Sequence, residues 1–373
     1  MRIGIPKETR FEEKRIALAP AGVDTLIRAG HTVYVQTSAG ESCNFTDEDY
    51  RKTGAIIVYS PEEVYLRSEL IVKVAPIADE EVNLLQDNQI LFSFLHLALG
   101  KKNVIENLLK KNVTAIGYEL IEEDEYLPVQ QAMSEIAGQL SIQVAEQYLE
   151  SRSEGGRGIL LGGIPGVAPA AVVILGGGVV GTAAARSALG RGAQVIVIDK
   201  DLKRLQKLDH AFSKRITTVV ANQYTISRGV KFADVLIGAI LIRGSKVPHI
   251  VTEEMVKKMK KGSVVVDVSI DQGGCIETSR ITSLSDPVYM FHNVIHYGVP
   301  NLPALVPRTS SYGLNNATIN YIMNIAENGL SNALIGDQGL SKGVCTYKGY
   351  CSNEVIAGIF NIEYRRLHIF STN

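Results

Sequence analysis

The 373-residue sequence lacks the features that characterise several large classes of protein. It has no excess of charge of either sign: the formal net charge is -1, so neither a nucleic acid nor an acidic membrane surface is an expected partner. Charged residues make up 21% and hydrophobic residues 46% of the chain, a balance typical of globular rather than disordered proteins. The sequence also has no internal repeat and no low-complexity segment, which excludes a solenoid fold.

Cysteine is scarce. The four cysteines, Cys43, Cys275, Cys345 and Cys351, form no C-x-x-C pair and show no spacing typical of a metal site. In a chain of this length we expect reduced, mostly buried thiols and no bound metal. The sequence begins with a strand-like run, MRIGIPKE, instead of a signal-peptide h-region, so the cytoplasm is the expected location.

One long uncharged segment, residues 159–185, has the hydropathy of a membrane span. Pro165, Pro169 and the three consecutive glycines that begin at Gly176 argue against a helix embedded in lipid. The segment is better explained as a loop followed by a buried parallel strand. We therefore expect no membrane association.

The chain is organised around residues 171–199, AVVILGGGVVGTAAARSALGRGAQVIVID. An apolar strand leads into a G-x-G-x-x-G turn, followed by a helix of small residues, a second apolar strand and an acid. Gly176 permits the tight turn, Gly178 lets the backbone approach a pyrophosphate, and Gly181 lets the helix pack closely on the strand. The motif by itself also occurs as a simple turn in other α/β proteins. The flanking strands and the terminal Asp199 favour a dinucleotide site that uses the helix N-terminus.

The acid at the end of the second strand predicts the coenzyme. Asp199 lies 18 residues after Gly181, where a carboxylate accepts hydrogen bonds from the adenosine ribose and repels a ribose phosphate. NAD is therefore favoured over NADP. Lys200, Lys203 and Arg204 weaken this preference without reversing it.

Strand and helix patterns alternate along the whole chain and predict an α/β fold with two Rossmann-like, doubly wound domains. We assign residues 1–128 to a substrate or catalytic domain, because the first third has no G-x-G-x-x-G, and residues 307–373 could pack back onto this domain and complete it. Residues 129–306 form the nucleotide-binding domain, and a helix over 133–150 connects the two. Later helices are expected over 314–328 and 354–368.

Three side chains near predicted strand ends could carry chemistry. Arg15 could clamp a substrate carboxylate, although an arginine in a charged loop is usually a surface residue. His96 follows the apolar run 90–95 and could exchange protons near neutral pH, or could be a hydrogen-bonded core histidine. Asp271 lies in the loop after a buried strand and could face a cleft, whereas Asp267, on the strand, could be structural. Asn301 lies in a proline-rich segment that suits either a hinge or an amide contact to a nicotinamide ribose.

The chain resembles the family that alanine dehydrogenase shares with the NAD-binding subunit of proton-translocating transhydrogenase. The matching segments run nearly from end to end and are MRIGIPKE, RIALAPAGV, ILFSFLHLA, MSEIAGQLSIQVA, GGRGILLGGIPGVAPAAVVILGGGVVGT, VDVSIDQGGCIETSR and VPRTSSYGLNNAT. The resemblance implies a cleft between the two domains and assembly into a homohexamer.

The resemblance also implies residue roles. It puts the carboxylate-binding arginine at Arg15, the catalytic histidine at His96 and the catalytic aspartate at Asp271. With the glycine turn it implies coenzyme contacts at Ser134, Gly176, Gly178, Val179, Gly181, Asp199, Arg204, Ile240, Leu241, Val268, Ile270, Arg280, Asn301 and Leu302.

One segment departs from the dehydrogenases. They carry Lys-Val-Lys-Glu-Pro after the fourth strand, and the second lysine contacts the substrate. This chain has Lys73-Val74-Ala75-Pro76, which is one residue shorter and resembles the Ala-Pro of the transhydrogenase subunit. Residues two apart on a strand share a face, so Lys73 could compensate as a substrate-binding residue.

The resemblance implies NAD-dependent, reversible oxidative deamination of L-alanine to pyruvate and ammonia. Two alternatives remain: an NAD(H)-binding protein that resembles the transhydrogenase subunit or an impaired dehydrogenase, and a dehydrogenase for another small amino acid with a pocket enlarged at Ala75.

Overall fold

The structure is a computed structural model that describes residues 1–124, 126–151, 155–241 and 247–367. The described chain forms two compact units. Unit 1 comprises residues 1–133 and 304–373, and unit 2 comprises residues 134–303. The assignment of unit 1 to the substrate and unit 2 to the nucleotide stays a prediction.

Strands and helices alternate through most of the chain. In chain order the strands are β1 (Arg2–Ile5), β2 (Thr32–Gln36), β3 (Ile56–Val58), β4 (Leu70–Val72), β5 (Ile90–Ser93), β6 (Thr114–Gly117), β7 (Ala171–Leu175), β8 (Gln194–Asp199), β9 (Thr217–Val220), β10 (Val235–Gly238), β11 (Val264–Asp267), β12 (Val288–Phe291), β13 (Val294–Tyr297), β14 (Val344–Tyr347) and β15 (Tyr350–Cys351). The helices are α1 (Pro20–Arg28), α2 (Asp47–Lys52), α3 (Pro61–Arg67), α4 (Asp79–Leu84), α5 (Lys102–Lys110), α6 (Pro128–Leu149), α7 (Val179–Gly190), α8 (Leu202–Ala211), α9 (Gln223–Phe232), α10 (Glu253–Val256), α11 (Pro307–Gly336), α12 (Gln338–Lys342) and α13 (Glu354–Phe360).

Unit 1 contains a sheet in the order β3-β2-β1-β4-β5-β6-β14-β15. The first six strands of this order pair in parallel, and β14 and β15 add antiparallel pairs at one edge. The strand order reverses between β1 and β4, which is the switch point of a doubly wound sheet. Ligand sites of such sheets lie outside the carboxyl ends of the strands next to this point.

Unit 2 repeats the arrangement in the order β9-β8-β7-β10-β11-β13-β12. All neighbours are parallel except β12, which pairs antiparallel with β13. Its switch point lies between β7 and β10, directly above the glycine turn. The predicted class, α/β with two Rossmann-like doubly wound units, is confirmed.

The central strands of the unit 2 sheet are buried and mostly apolar because both faces of a doubly wound sheet are covered by helices. Every residue of β7 is buried, as is every residue of β10 and β11. The uncharged segment 159–185 thus includes β7, a central strand of the unit 2 sheet, as expected. None of the helices in the described ranges is long and apolar enough to cross a membrane.

Two C-terminal features differ from the sequence-based expectation. The pattern over 354–368 predicted one long helix, but α13 ends at Phe360 because Asn361 adopts a left-handed conformation; His368 lies outside the described residues. The segment before it, which carried no strand prediction, forms the β14–β15 hairpin on the edge of the unit 1 sheet.

Candidate functional site

The glycine turn of unit 2 has the geometry that its residue types predict. Gly176 has φ of +101°, a conformation that disfavours a side chain. A β-carbon on Gly181 would overlap the carbonyl oxygen of Gly176, so close packing of α7 on the turn requires glycine. A β-carbon on Gly178 would meet no atom within 4 Å, and no side chain caps α7 at this position. The first turn of α7, beginning at Val179, therefore presents its N-terminus to open space, which suits a pyrophosphate.

Asp199 closes the turn from the end of β8. One carboxylate oxygen accepts a hydrogen bond from the Gly177 N–H (2.6 Å) and from Arg204 Nη1 (3.0 Å). The other accepts from the Asp201 N–H (2.8 Å). Burial opposes ionisation of this side chain, but these hydrogen bonds hold the pKa of Asp199 below its ordinary value. The sequence predicted a negative charge next to the glycine turn. The structure adds that Arg204 is paired with it.

The remaining strand ends of unit 2 lie beside the turn. The Ile240 N–H donates to Ser269 Oγ (2.9 Å), and Ser269 Oγ–H donates to the Ile240 carbonyl oxygen (2.8 Å). This pair joins the carboxyl ends of β10 and β11, so that Ile240 and Leu241 lie close to the one-turn helix 268–272, which contains Val268 and Ile270. A β-carbon on Gly176 would lie 3.5 Å from Ile240 Cγ1, which connects these residues to the glycine turn.

Four further predicted coenzyme residues belong to the same edge of unit 2. Gly138 of α6 faces the first turn of α7, where a β-carbon would crowd Ala183, and Ser134 lies one helical turn earlier. The backbone of Arg280 lies against Gly298, at the end of β13. Asn301, with φ of +55°, and the buried Leu302 follow this point.

Asp271 lies in the helical turn after β11 and is exposed. Its carboxylate accepts a hydrogen bond from the Asn301 N–H (3.3 Å), so the predicted catalytic acid and a predicted coenzyme contact are adjacent. Asp267 differs: its buried carboxylate accepts from the N–H groups of Ser269, Cys275 and Ile276. It shapes the loop that carries Asp271.

Arg15 of unit 1 is a buried residue rather than a surface arginine. Its Nε and Nη2 donate to the two carboxylate oxygens of Glu13 at 2.7 and 2.6 Å, and Nη1 contacts Met133 Sδ at 3.2 Å. The side chains of Arg15 and Glu13 are only 6% and 1% exposed. Both, with Glu8, line a small cavity of unit 1. The guanidinium is thus held rigidly at the edge of a polar cavity.

Lys73 follows β4 and lies inside unit 1. Its Nζ donates to Glu81 Oε1 (2.7 Å) and Glu8 Oε2 (3.1 Å), and the side chain is 1% exposed. Burial by itself lowers the pKa of Lys73, but the two carboxylates raise it above its ordinary value, so the ammonium is charged. To reach a substrate, Nζ would have to leave both carboxylates, and breaking a buried pair costs about 3–5 kcal/mol. This geometry weighs against compensation by Lys73, which stays a prediction. Ala75 is 1% exposed, and a pocket enlarged at this residue also stays a prediction.

His96 lies just beyond β5 in a left-handed backbone conformation with φ of 45°. Its side chain is 44% exposed and stacks on Phe94. Glu119, beyond the adjacent β6, accepts hydrogen bonds from the N–H groups of His96 (2.7 Å) and Leu95 (3.1 Å). Its carboxylate also lies 3.8 Å from His96 Nδ1. His96 is therefore not a buried core histidine but a partly exposed imidazole whose backbone is held by a neighbouring acid.

The acids next to Arg15, Lys73 and His96 carried no sequence-based prediction. Glu8, Glu13 and Glu119 each hold a residue that was singled out. Glu119 and Glu8 follow β6 and β1, and the carboxyl ends of parallel strands share one edge, so this signal was present in the strand pattern. For Glu13, the signal was its spacing of two residues from Arg15.

Comparisons with known proteins give matches to the same family along nearly the whole chain. The N-terminal domain family of alanine dehydrogenase/PNT matches residues 4–137, and the C-terminal domain family matches residues 141–354. An alanine dehydrogenase of Methanococcus maripaludis is 47% identical over 366 residues, which cover 98% of each chain. The structure of an L-alanine dehydrogenase is 44% identical, with a TM-score of 0.92 over 97% of this chain and 99% of the other.

A more distant match shows the fold only. The structure of a transhydrogenase from Sinorhizobium meliloti is 21% identical, with a TM-score of 0.83 over 94% of this chain and all of the other. One explanation accounts for the glycine turn, the strand order of both units and the two domain matches. The chain belongs to the alanine dehydrogenase/PNT family.

Proposed function

We propose that this protein is an NAD-dependent alanine dehydrogenase that interconverts L-alanine with pyruvate and ammonia. The observation that carries the proposal is the 47% identity to an alanine dehydrogenase over 98% of both chains. Features of both units agree with the proposal. In unit 1 these are the rigid Arg15 and the partly exposed His96 at one edge, and in unit 2 the glycine turn.

The residues of unit 2 fit a pyridine dinucleotide. The open space at Gly178 and the uncapped N-terminus of α7 suit the pyrophosphate, and the charged Asp199 suits the unphosphorylated ribose of NAD. Ser134, Val179, Arg204, Ile240, Leu241, Val268, Ile270, Arg280, Asn301 and Leu302 would complete the contacts. When bound, the nicotinamide accepts a hydride from the substrate carbon in deamination and returns it in amination.

Unit 1 would hold the substrate. Arg15 would bind the substrate carboxylate, since a guanidinium fixed by Glu13 loses little side-chain entropy on binding. His96 would donate a proton to, or accept one from, the substrate oxygen as the carbinolamine forms and collapses. Asp271 would stabilise the cationic imine or relay a proton. We propose His96 and Asp271 as the catalytic pair without dividing the two steps between them.

The experiment is an NADH-oxidation assay with pyruvate plus ammonia, repeated with other small 2-oxo acids and with NADPH. We expect the highest kcat/KM with pyruvate and NADH. Binding of NADH without turnover on any 2-oxo acid would instead identify a coenzyme-binding protein. A higher kcat/KM with another 2-oxo acid would identify a dehydrogenase of a different amino acid.

Arg15→Met tests the substrate site within the same assay. Loss of one or two charge-assisted hydrogen bonds, each worth about 1.5–3 kcal/mol, should raise the KM for pyruvate at least roughly tenfold. The KM for NADH should change little. Arg10→Met is the matched control, because Arg10 is exposed in the same loop. An unchanged KM for pyruvate in Arg15→Met would remove Arg15 from the substrate site.

We further propose a cytoplasmic homohexamer that acts on small molecules without a nucleic-acid or membrane partner. The four cysteines are free and buried, as suits a reducing compartment. Leu160, Ile164 and Val167 are about 60% exposed and form an apolar segment that another copy of the chain could cover. Light scattering on the purified protein measures the subunit number.

A further inference from the structure

A stack of three side chains lies on the β12–β13 hairpin of unit 2. Tyr289 of β12 is the cross-strand partner of His296 of β13, and their rings are nearly parallel with centroids 5.1 Å apart. The guanidinium of Arg280 lies on the tyrosine ring, 4.2 Å from its centroid. From β13 towards the edge strand β12 and beyond it, the order is therefore imidazole, phenol, guanidinium, and burial falls in the same order from the fully buried His296 to the exposed Arg280.

Hydrogen bonds fix the stack at each level. The Arg280 N–H donates to the Tyr289 hydroxyl oxygen (2.9 Å), whose O–H donates to the Thr278 carbonyl oxygen (2.6 Å). His296 Nδ1 lies 3.0 Å from the Val294 carbonyl oxygen, which can only accept, so Nδ1 carries the proton. Nε2 then accepts from Thr278 Oγ1 at 2.8 Å. Tyr289 is thus joined to both the backbone and the side chain of Arg280.

Arg280 lies at the edge of unit 2 where the predicted coenzyme contacts converge. Its carbonyl oxygen is packed against Gly298, so that a β-carbon there would overlap it, and Ile270 Cγ1 would lie 3.8 Å from the same β-carbon. Gly298 in turn hydrogen-bonds to Thr282 and leads to Asn301. An exposed arginine whose backbone is held between these loops can present its charge to an anionic ligand in one direction.

We propose that Tyr289 is a positioning residue for coenzyme binding: its ring and hydroxyl hold the Arg280 guanidinium in place for the dinucleotide. The inference rests on the proposed function, in which Arg280 contacts NAD. A guanidinium on an aromatic face keeps its planar orientation and gains about 0.5–2 kcal/mol from the contact. Without the ring, the arginine side chain would have to be ordered when the coenzyme binds. The hydroxyl bonds only to backbone groups, so it contributes less than the ring does to the position of the Arg280 side chain.

The test compares NADH affinity, measured by the fluorescence of the bound coenzyme, in Tyr289→Leu, Tyr289→Phe and Arg280→Met. We expect Tyr289→Leu to raise the Kd of NADH about three- to thirtyfold, and Tyr289→Phe, which retains the stack, to raise it less than about threefold. If Tyr289 acts through Arg280, Tyr289→Leu should add no further loss to Arg280→Met. The KM for pyruvate should stay near that of the wild type.

Phe232→Leu is the matched control, because Phe232 supports Lys260 by a similar contact at the end of α9, which leads into the amino end of β10. Additive effects of Tyr289→Leu and Arg280→Met, or an equal loss in Tyr289→Phe and Tyr289→Leu, would overturn the proposal. So would an Arg280→Met protein with unchanged NADH affinity and intact alanine turnover, a result that leaves the proposed function standing. A wild-type protein that fails to bind NADH would overturn both.

Discussion

Lys73 illustrates how burial changes the role that a residue type predicts. A lysine after a strand at the switch point of a doubly wound sheet is placed well for binding an anion. Here Glu8 and Glu81 surround its ammonium, and Glu8 also accepts from the Val74 N–H at 2.6 Å. Burial raises the pKa of the Glu8 carboxyl, in spite of the ammonium next to it. The cluster therefore ties β1, the segment after β4 and α4 together.

Lys73→Met should lower the free energy of unfolding by about 3–5 kcal/mol, because it leaves two buried carboxylates without their cation. Urea denaturation followed by circular dichroism measures this change. Lys102→Met, at a half-exposed position whose ion pair with Glu106 lies within one helix, should change it by less than about 0.5 kcal/mol. If Lys73 contacts the substrate instead, its variant will keep wild-type stability and show a raised KM for pyruvate.

At the scale of the element, two glycines in the turn between β7 and α7 have different roles: one permits close packing and the other permits a ligand to approach. Gly181 faces the backbone of Gly176, whereas Gly178 faces open space and has an ordinary negative φ. One glycine is thus required by the fold itself, and the other is required only when a phosphate approaches. The two needs coincide in one motif because the same helix N-terminus must be both close to the strand and accessible.

Gly181→Ala should lower the free energy of unfolding by about 1–3 kcal/mol through overpacking and weaken NADH binding as well. Gly178→Ala should leave stability unchanged or slightly higher and still raise the Kd of NADH. Thermal unfolding and NADH titration of both variants give the comparison. Gly190→Ala, near the end of the same helix and with no neighbour within 4 Å, is the control for helix propensity. Loss of stability in Gly178→Ala would contradict this division.

At the scale of the whole molecule, a proton released on folding couples stability to pH. Burial is the main reason that the pKa of His296 falls from 6.5 to about 4, and the nearby His292 and Arg280 lower it further, against the hydrogen bond to Val294. Between these two values the unfolded chain binds a proton at this residue that the folded chain does not. Stability is therefore highest above about pH 6.5 and falls as the pH decreases towards 4.

We expect the wild-type chain to lose about 2–3 kcal/mol more than His296→Gln when the pH is lowered from about 7.5 to about 4.5. Urea denaturation of both proteins at the two pH values measures the difference, in which the titration of other groups cancels. His210→Gln, at an exposed position in the last turn of α8, should keep the wild-type pH dependence. Equal pH dependence of His296→Gln and the wild type would show that His296 is protonated in the folded chain.

Much of this protein could be predicted from local sequence patterns. The turn at Gly176 and the apolar central strands depend on residues close in the chain, whose conformational limits are the same in any fold. The same holds for the candidate residues His96 and Asp271, since the end of a strand indicates where a site can form. β14 and β15 are short, and β14 pairs with β6, a strand far from it in the sequence, so the hairpin was not predicted.

The sequence by itself determined the α/β class, the glycine turn with its acid, and the edge of each sheet where chemistry could occur. Only the tertiary structure decided which side chains meet across the sheet of unit 1: Glu119 with His96, and Glu8 with Lys73. The physical reason is that electrostatic and packing interactions depend on distance in space and on burial, and strand order brings together side chains that are 20 to 70 residues apart in the chain. A buried lysine and an exposed one have the same sequence signature, but the folded chain gives them different neighbours.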